Sequence, residues 1–579
     1  MTEDTLGGRL ARAAQHPRGV RFLDRRETGG ERLSYGELFA RARGVAGALQ
    51  RLGLRPGERV ALVLPTAPFF FDAFFGAVLA GGVPVPLYPP IRLGRMDEHR
   101  AQTAAMLRAC GARLVLSDRR IQRLLGAAVV DGKPDLGSAT MEELEVHPPS
   151  PVEVSPDDVA FIQFSSGTTV EPKPVCLTHR QILANVRAIL AAIQAAYPDT
   201  GAEPHVGVSW LPLYHDMGLV GAVLGAVELP GELILIPPEL FIARPAIWLR
   251  ALSRYRGTIS PAPNFAYALC AKRVRDDELA GVDLSRWSVA LNGAEPVTPA
   301  VIESFVERFA RYGLRREALT PVYGLAEATL AVTLSDLRSP FRRRRFDRDA
   351  LVRRATAIPA SEGQELVSLG PPLPGFALRI IDDEGHDAPA GQVGRVLVRG
   401  PSVMLGYHGM PERTAATLRD GWLDTGDTGF VHENQLYLYG RAKDLIVLRG
   451  HNHAPQDVEQ VLHDVDGLRA GCVAAVGIVG HEGEALFLFV ERARNARRDD
   501  GSIAQAVSRT VSERTGLVPE RVLVLGAGTL PRTSSGKIRR EETRRRFLAG
   551  TLTPPRRVTI LYLLREMLRS HAAQMRRER

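Results

Sequence analysis

Three short apolar runs, Val60–Leu64, Val83–Leu87 and Leu114–Ser117, each follow a stretch with helical spacing. That rhythm constrains the fold more than any other feature of the chain. A run that is apolar at nearly every position reads as a strand buried on both faces, and helices must cover it. Ser34-Tyr35-Gly36-Glu37 has the spacing of a capping box, after which Leu38, Ala42, Val45, Leu49 and Leu52 recur at helical intervals. Further helices are expected near Phe69–Leu79 and His99–Ala109. This alternation argues for an α/β fold of layered sheets and helices with mostly parallel strands. At 579 residues the chain exceeds one core, so two or more domains are expected.

Three later segments break the rhythm. Residues Ser335 to Gln364 are rich in arginine, carry no clear period and read as an insertion lying on a surface. Beyond Gly440 the pattern restarts as a small α+β unit. It has a helix over Pro455–Leu462, strands at Val473–Val479 and Ala485–Val490, a helix through Ser502–Thr515 and a strand at Arg521–Leu525. The tail from Val558 places Ile560, Leu561, Leu564, Met567 and Leu568 on one helical face with arginines elsewhere. Such a helix either makes a peripheral contact with a membrane surface or docks on its own domain, and docking is the favoured reading.

Several function classes fall away. Pro68 to Pro90 comes closest to a membrane span, but Asp72 and internal glycines and prolines divide it into a buried helix, a turn and a strand, so no transmembrane segment is expected. The first 20 residues are polar with scattered arginines, which argues against a secretory signal. Cys110, Cys176, Cys270 and Cys472 lie far apart with no C-x-x-C, so reduced thiols in a cytoplasmic protein are expected. The formal charge of +9 is uneven, with arginines gathered at Arg342–Arg345 and in the last 40 residues. Aromatics are not interleaved with them, so nucleic-acid binding is not indicated. His451-Asn-His453 lacks a third metal ligand, and Val522–Gly528 lacks the third glycine of a dinucleotide fingerprint.

Phe164 to Lys173 reads FSSGTTVEPK and leaves the apolar run Val159–Phe164. The small residues Ser165, Ser166, Gly167, Thr168 and Thr169 let backbone N–H groups approach phosphate oxygens, and Lys173 adds a point charge. The spacing is not that of a P-loop, and the plain alternative is a surface turn.

Six further segments accompany this loop. They are Trp210–Gly218 (WLPLYHDMG), Asn292–Pro296 (NGAEP), Tyr323–Thr329 (YGLAEAT), Asp424–Asp427 (DTGD), Gly440–Asp444 (GRAKD) and Pro531–Lys537 (PRTSSGK). In this order the chain resembles the adenylate-forming superfamily, which includes acyl-CoA synthetases, luciferases and the adenylation domains of peptide synthetases. The resemblance runs from about Phe22 to Phe547. Within it the chain is most similar to fatty acyl-AMP ligases, through SWLPLYHDMGL, the Arg449–Glu459 stretch and an insertion followed by SLGPPLPG.

The resemblance implies an enzyme using ATP and Mg²⁺ to turn a fatty acid into acyl-adenylate and pyrophosphate. The acyl group would pass to the phosphopantetheine thiol of a separate acyl carrier protein, or of a carrier domain of a polyketide or peptide synthase. It implies Lys537 bridging the carboxylate and α-phosphate, Glu327 helping Thr168 to hold Mg²⁺, and Asp427 and Arg441 on the ribose. Tyr323, with Gly324, would stack on adenine and the Gly293-Ala294-Glu295 backbone would run along its edge. His215 would sit between acyl tunnel and phosphates. The expected organisation is a large domain over 1–441 with the insertion at 335–364, a hinge at Lys443, a small mobile α+β domain over 442–550 carrying Lys537, and a basic amphipathic tail over 551–579. Arg342–Arg345 would hold an acidic surface of the small domain or of a carrier. Two residues depart from the family pattern: Val170 where glycine is usual, and Pro174, which removes an N–H donor. The alternatives are a fatty acyl-CoA ligase and a catalytically weak acyl- or nucleotide-binding scaffold.

Overall fold

The computed structural model describes residues 2–27, 29–90, 93–165, 172–199, 204–448, 450–480, 483–533, 536–556 and 558–578. The three apolar runs become neighbours in one parallel sheet. Arg59–Val63 pairs with both Val83–Leu87 and Ala112–Ser117, and Ser138–Thr140 lies outside the last. The helix Tyr35–Arg51 opens on the expected capping box, with Ser34 Oγ accepting from the Glu37 N–H and the Glu37 carboxylate accepting from the Ser34 N–H at 2.7 Å. It packs on the helix Pro68–Leu79, whose Phe70, Phe71, Phe74 and Phe75 are all buried. A helix apolar all round belongs in a core. Asp72 sits there because Arg41 reaches it from the neighbouring helix, Nη2 to Oδ2 at 2.6 Å and Nε to Oδ1 at 3.0 Å. Burial still raises the Asp72 pKa above the usual carboxylate value, against the pull of Arg41.

A second, eight-stranded sheet runs in the order Ala331–Leu334, Leu319–Gly324, Val289–Gly293, Ile259–Pro263, Val206–Ser209, Glu232–Leu235, Gly19–Phe22, Glu31–Ser34. Its inner pairings are parallel and its two edge pairings antiparallel. The C-terminal ends of its central strands therefore open on one side, where open α/β sheets commonly bind ligands. A smaller antiparallel sheet contributes Trp422–His432 and Gln435–Arg441. Past the expected hinge the small unit forms as an antiparallel pair, Leu468–Gly480 with Gly483–Arg492, and Arg521–Leu525 adds in parallel. Helices Pro455–Gln460, Asp500–Thr515 and Arg540–Leu548 cover it. The four cysteines are free and buried.

Two readings of the sequence need correction. The arginine-rich insertion does not hold the small domain through Arg342–Arg345. Arg343 and Arg345 face Glu365, Arg343 also meets Glu303, and Arg344 meets Glu433 at 2.6 Å, all within the large domain. The insertion is instead anchored from beneath by Phe346 and Leu351, buried against Phe430, Tyr437 and Ala454. It touches the small domain through Gln364 Nε2, which donates to Asp457 Oδ1 at 2.5 Å. The tail helix Ile560–Glu578 docks, but on the large domain. Ser570 Oγ accepts from the Gly126 N–H at 2.7 Å, and Arg569 pairs with Asp97 at 2.9 Å. Its apolar face is only partly covered: Met567 turns inward, while Ile560, Leu561, Leu564 and Leu568 face solvent.

The Arg41–Asp72 pair yields a stability test. Arg41→Ala leaves a carboxylate stranded in an apolar helix, at a cost of about 2 kcal/mol after allowing for the partial exposure of Arg41. Thermal denaturation should show a lowered midpoint, and Arg41→Met combined with Asp72→Leu should recover most of it.

Candidate active site

The loops beyond the sheet's carboxyl edge supply the first group of side chains. Val289–Gly293 ends in Gly293-Ala294-Glu295, and Ala294 adopts a positive φ of 66°. Glu295 Oε1 then accepts from the Phe265 N–H at 2.5 Å, which fixes the carboxylate at the head of the preceding helix, Asn264–Arg273. Leu319–Gly324 ends in Tyr323 and Gly324. A Cβ on Gly324 would lie 1.7 Å from the Leu330 carbonyl oxygen, and one on Gly293 2.7 Å from Val322 Cγ2, so the backbones meet where only glycine fits. Asp427 and Arg441 face each other in register on adjacent strands, with Arg441 Nε 3.0 Å from Asp427 Oδ1. The Tyr323 hydroxyl donates to the other oxygen, Oδ2, at 2.7 Å. Burial, with Asp427 beside it, pushes the Tyr323 phenol well up, so it remains a donor.

Lys173 and Glu327 share Tyr407. The Tyr407 hydroxyl donates to Glu327 Oε1 at 3.0 Å, and Lys173 Nζ sits 5.6 Å from the centre of the Tyr407 ring. Burial lowers the Lys173 pKa, and Glu327 opposes that shift. The base of the FSSGTT loop is closed by the Ser165 N–H donating to the Lys173 carbonyl at 3.1 Å. Ser166, Gly167, Thr168, Thr169 and Val170 lie outside the described residues. Pro174 is the first residue of the strand Pro174–Thr178, a position that tolerates proline, and its carbonyl accepts from the His408 N–H.

His215 and Asp216 precede a π-helix over Met217–Leu224, a geometry frequent at functional sites. His215 Nδ1 meets Asp216 Oδ1 at 2.5 Å, and that oxygen also accepts from the Met217 N–H at 2.7 Å. Although burial works against it, the neighbouring imidazole holds the Asp216 carboxyl below its usual value. His215 Nε2 is buried with no protein partner, a polar atom left for a ligand. His215 lines a cleft together with the apolar Val186, Ile189, Leu190 and Ile193, on one face of the helix His179–Ala196, and with Val220 and Leu330. This apolar lining and the polar centre form one cleft of about 1930 Å³.

The small domain closes this cleft. Lys537 is held in a tight turn, its N–H donating to Thr533 Oγ1 at 3.0 Å and its carbonyl accepting from the Thr533 N–H at 2.8 Å. Its pKa is lowered by burial and by Arg441, while Asp216, Glu295 and Asp427 pull it back up. The Lys443 turn also lines the cleft.

Three features escaped the sequence reading. Tyr407 has no motif around it. Arg540 clasps Glu459 through Nε and Nη2, both at 2.7 Å, and Asp444 through Nη1 at 3.0 Å, joining segments 81 and 96 residues away. Spacing along the chain cannot reveal such a pairing. The third carried a readable signal: the chain has only five lysines, at 133, 173, 272, 443 and 537, among 74 lysines and arginines. Four of them, all but Lys133, line the cleft. In a chain that otherwise uses arginine, lysine persists where a compact point charge is wanted.

That scarcity makes Lys537 easy to follow. Acetylation mapped by peptide mass across a pH series should show its rate reaching half-maximum below the ordinary lysine value of 10.5. A half-maximum at or above that value contradicts the buried placement.

The sequence matches the AMP-binding enzyme family over residues 10–408. A putative acyl-CoA synthetase of Caulobacter vibrioides is 34% identical over 564 residues, covering 94% of this chain and 96% of that protein. The medium-chain-fatty-acid–[acyl-carrier-protein] ligase JamA of Moorena producens is 33% identical, with 92% of each chain covered. A structure from a study of fatty acyl-adenylate ligases from E. coli and L. pneumophila superposes with a TM-score of 0.88 at 34% identity, over 94% of this chain and 98% of that one. With more than half its length matched and relatives above 30% identity along nearly all of it, this chain belongs to the AMP-binding enzyme family.

Proposed function

We propose that the protein activates a fatty acid with ATP to acyl-adenylate and then passes the acyl group to the phosphopantetheine thiol of a separate carrier. One observation carries this reading: a single cleft joins a long apolar lining and the unpartnered His215 Nε2 to the cations Lys537, Arg441 and Lys173. A long apolar acid fits the apolar lining, and a polyphosphate answers the cations. The relatives named for fatty acyl-adenylate and acyl-carrier-protein ligation support the same substrate class and acceptor.

In the first step a carboxylate oxygen of the acid attacks the α-phosphorus, the P–O bond to the β-phosphate breaks, and pyrophosphate leaves with that electron pair. Negative charge gathers on the α-phosphate oxygens, so fixed cations and N–H donors are what the transition state needs. Lys537 is assigned to the carboxylate and α-phosphate oxygens, Lys173 to the outer phosphates, and Asp427 with Arg441 to the ribose hydroxyls. Tyr323 is assigned to the adenine face, with the Gly293-Ala294-Glu295 backbone at its edge. His215 orients the acyl carboxylate, its tautomer set by Asp216.

Glu327 is assigned to Mg²⁺. Its carboxylate is a hard oxygen donor beside Lys173, and a single protein carboxylate suits a magnesium ion held mainly by phosphates and water. When bound, the ion supplies charge neutralisation on the phosphates.

Transfer requires a thiol to reach the acyl carbon that Lys537 covers, so the small domain is proposed to turn about Lys443 between the two steps. The insertion's grip on that domain, through Gln364–Asp457 and the Phe346 cluster, restrains this turn.

Two measurements test the proposal. Lys537→Ala should lower fatty-acid-dependent pyrophosphate exchange by ~10²–10³ while thermal stability is kept. Mass spectrometry of products should show acyl-AMP and acyl-carrier thioester with little acyl-CoA. Efficient acyl-CoA formation would make the protein a fatty acyl-CoA ligase instead, and no exchange with any aliphatic acid would leave a binding scaffold.

A further inference from the structure

The tail helix Ile560–Glu578 carries a broad apolar face, and the fold covers only one side of it. Leu563 and Met567 turn towards the large domain, and Ser570 on the same side is 2% exposed. On another side Ile560 and Leu561 are each 79% exposed, Leu568 68%, Leu564 49% and Met575 47%. At ~100° per residue these five side chains fall within an arc of roughly 100°. They form a continuous stripe along the helix rather than scattered surface apolar residues. Val558, just before the helix, extends the stripe at 46% exposure. Arg565 and Arg569, both exposed, border it.

We infer that this stripe is a membrane-docking surface that seats the protein on anionic phospholipid. Charge and side-chain type select this occupant. Arginines beside an aliphatic stripe place cations at headgroup level when Leu564 and Leu568 enter the acyl boundary, and anionic lipid supplies the complementary charge. A second copy seated on the stripe would instead bring two sets of Arg565 and Arg569 together. A protein groove is anchored mainly by tryptophan, tyrosine and central arginine, whereas the stripe is aliphatic apart from Met575 and the exposed His571 within its arc. Among the described residues no helix is long and apolar enough to cross a membrane, so this helix lies on the surface. It is already folded and held by Ser570–Gly126 and Arg569–Asp97, so docking orders no new segment. The inference stands apart from the proposed chemistry.

Flotation of the full-length protein tests it, with vesicles of phosphatidylcholine containing one-third phosphatidylglycerol beside vesicles of phosphatidylcholine alone. The protein should rise with the anionic vesicles, more weakly with the neutral ones, and less at raised salt. Leu564→Asp and Leu568→Asp should each weaken partition roughly tenfold. Both side chains point to solvent, so melting temperature and pyrophosphate exchange with a short soluble acid should stay as in wild type. Wild-type protein that stays down with both vesicles overturns the inference, as do variants that float like wild type. So does a wild-type dimer that becomes monomeric in the variants without any vesicle binding.

Discussion

Three carboxylates from three separate parts of the chain, Asp216, Glu295 and Asp427, line the same cleft as Lys537, and their charge opposes the loss of its proton. Burial and Arg441 lower the Lys537 pKa, and Asp216, Glu295 and Asp427 oppose that shift. Each carboxylate is itself held. Asp216 is fixed by His215 and the turn into the π-helix, Glu295 by the Phe265 N–H, and Asp427 by Arg441 and the Tyr323 hydroxyl. Asp216 and Glu295 follow strands of the eight-stranded sheet, whereas Asp427 lies on the strand Trp422–His432 of the smaller antiparallel sheet, so the centre draws on both sheets.

The Arg540 clasp continues this charge pairing in the small domain. Arg540 lies three residues beyond Lys537 and grips Asp444, the neighbour of Lys443, as well as Glu459 on the helix Pro455–Gln460. Asp444 is almost fully buried and Arg540 nearly so. Arg540 thus ties the segment around Lys443 to the helix that follows Lys537.

Much of this was readable from the sequence because burial writes itself into hydropathy. Val60–Leu64, Val83–Leu87 and Leu114–Ser117 could only be covered strands, and Ser34 with Glu37 could only cap what followed. The small domain's strands and helices appeared within a few residues of their expected ends. The motif segments also met in space, since family order fixed which of them belonged together. What stayed hidden were pairings between distant charges. Asp72 looks like a break in an apolar segment until Arg41 is seen beside it, and Arg343, Arg344 and Arg345 look unpaired until Glu303, Glu365 and Glu433 are found beside them. A helical wheel of the tail showed that apolar residues cluster, but not which of them a neighbour would cover.

The tail has a mechanical consequence for the motion of the small domain. Only eleven residues, 549–559, join the helix Arg540–Leu548 to the docked helix. Fully extended they span about 36–40 Å. Part of that length is already pinned, with the Thr553 carbonyl held by Arg95 and the Arg556 N–H by the Gly94 carbonyl. The small domain is therefore leashed at both ends, through Lys443 and through this strap. In the proposed turn about Lys443, an open state would stay within short reach of closure, and reclosing would be an intramolecular encounter at an effective concentration in the millimolar range.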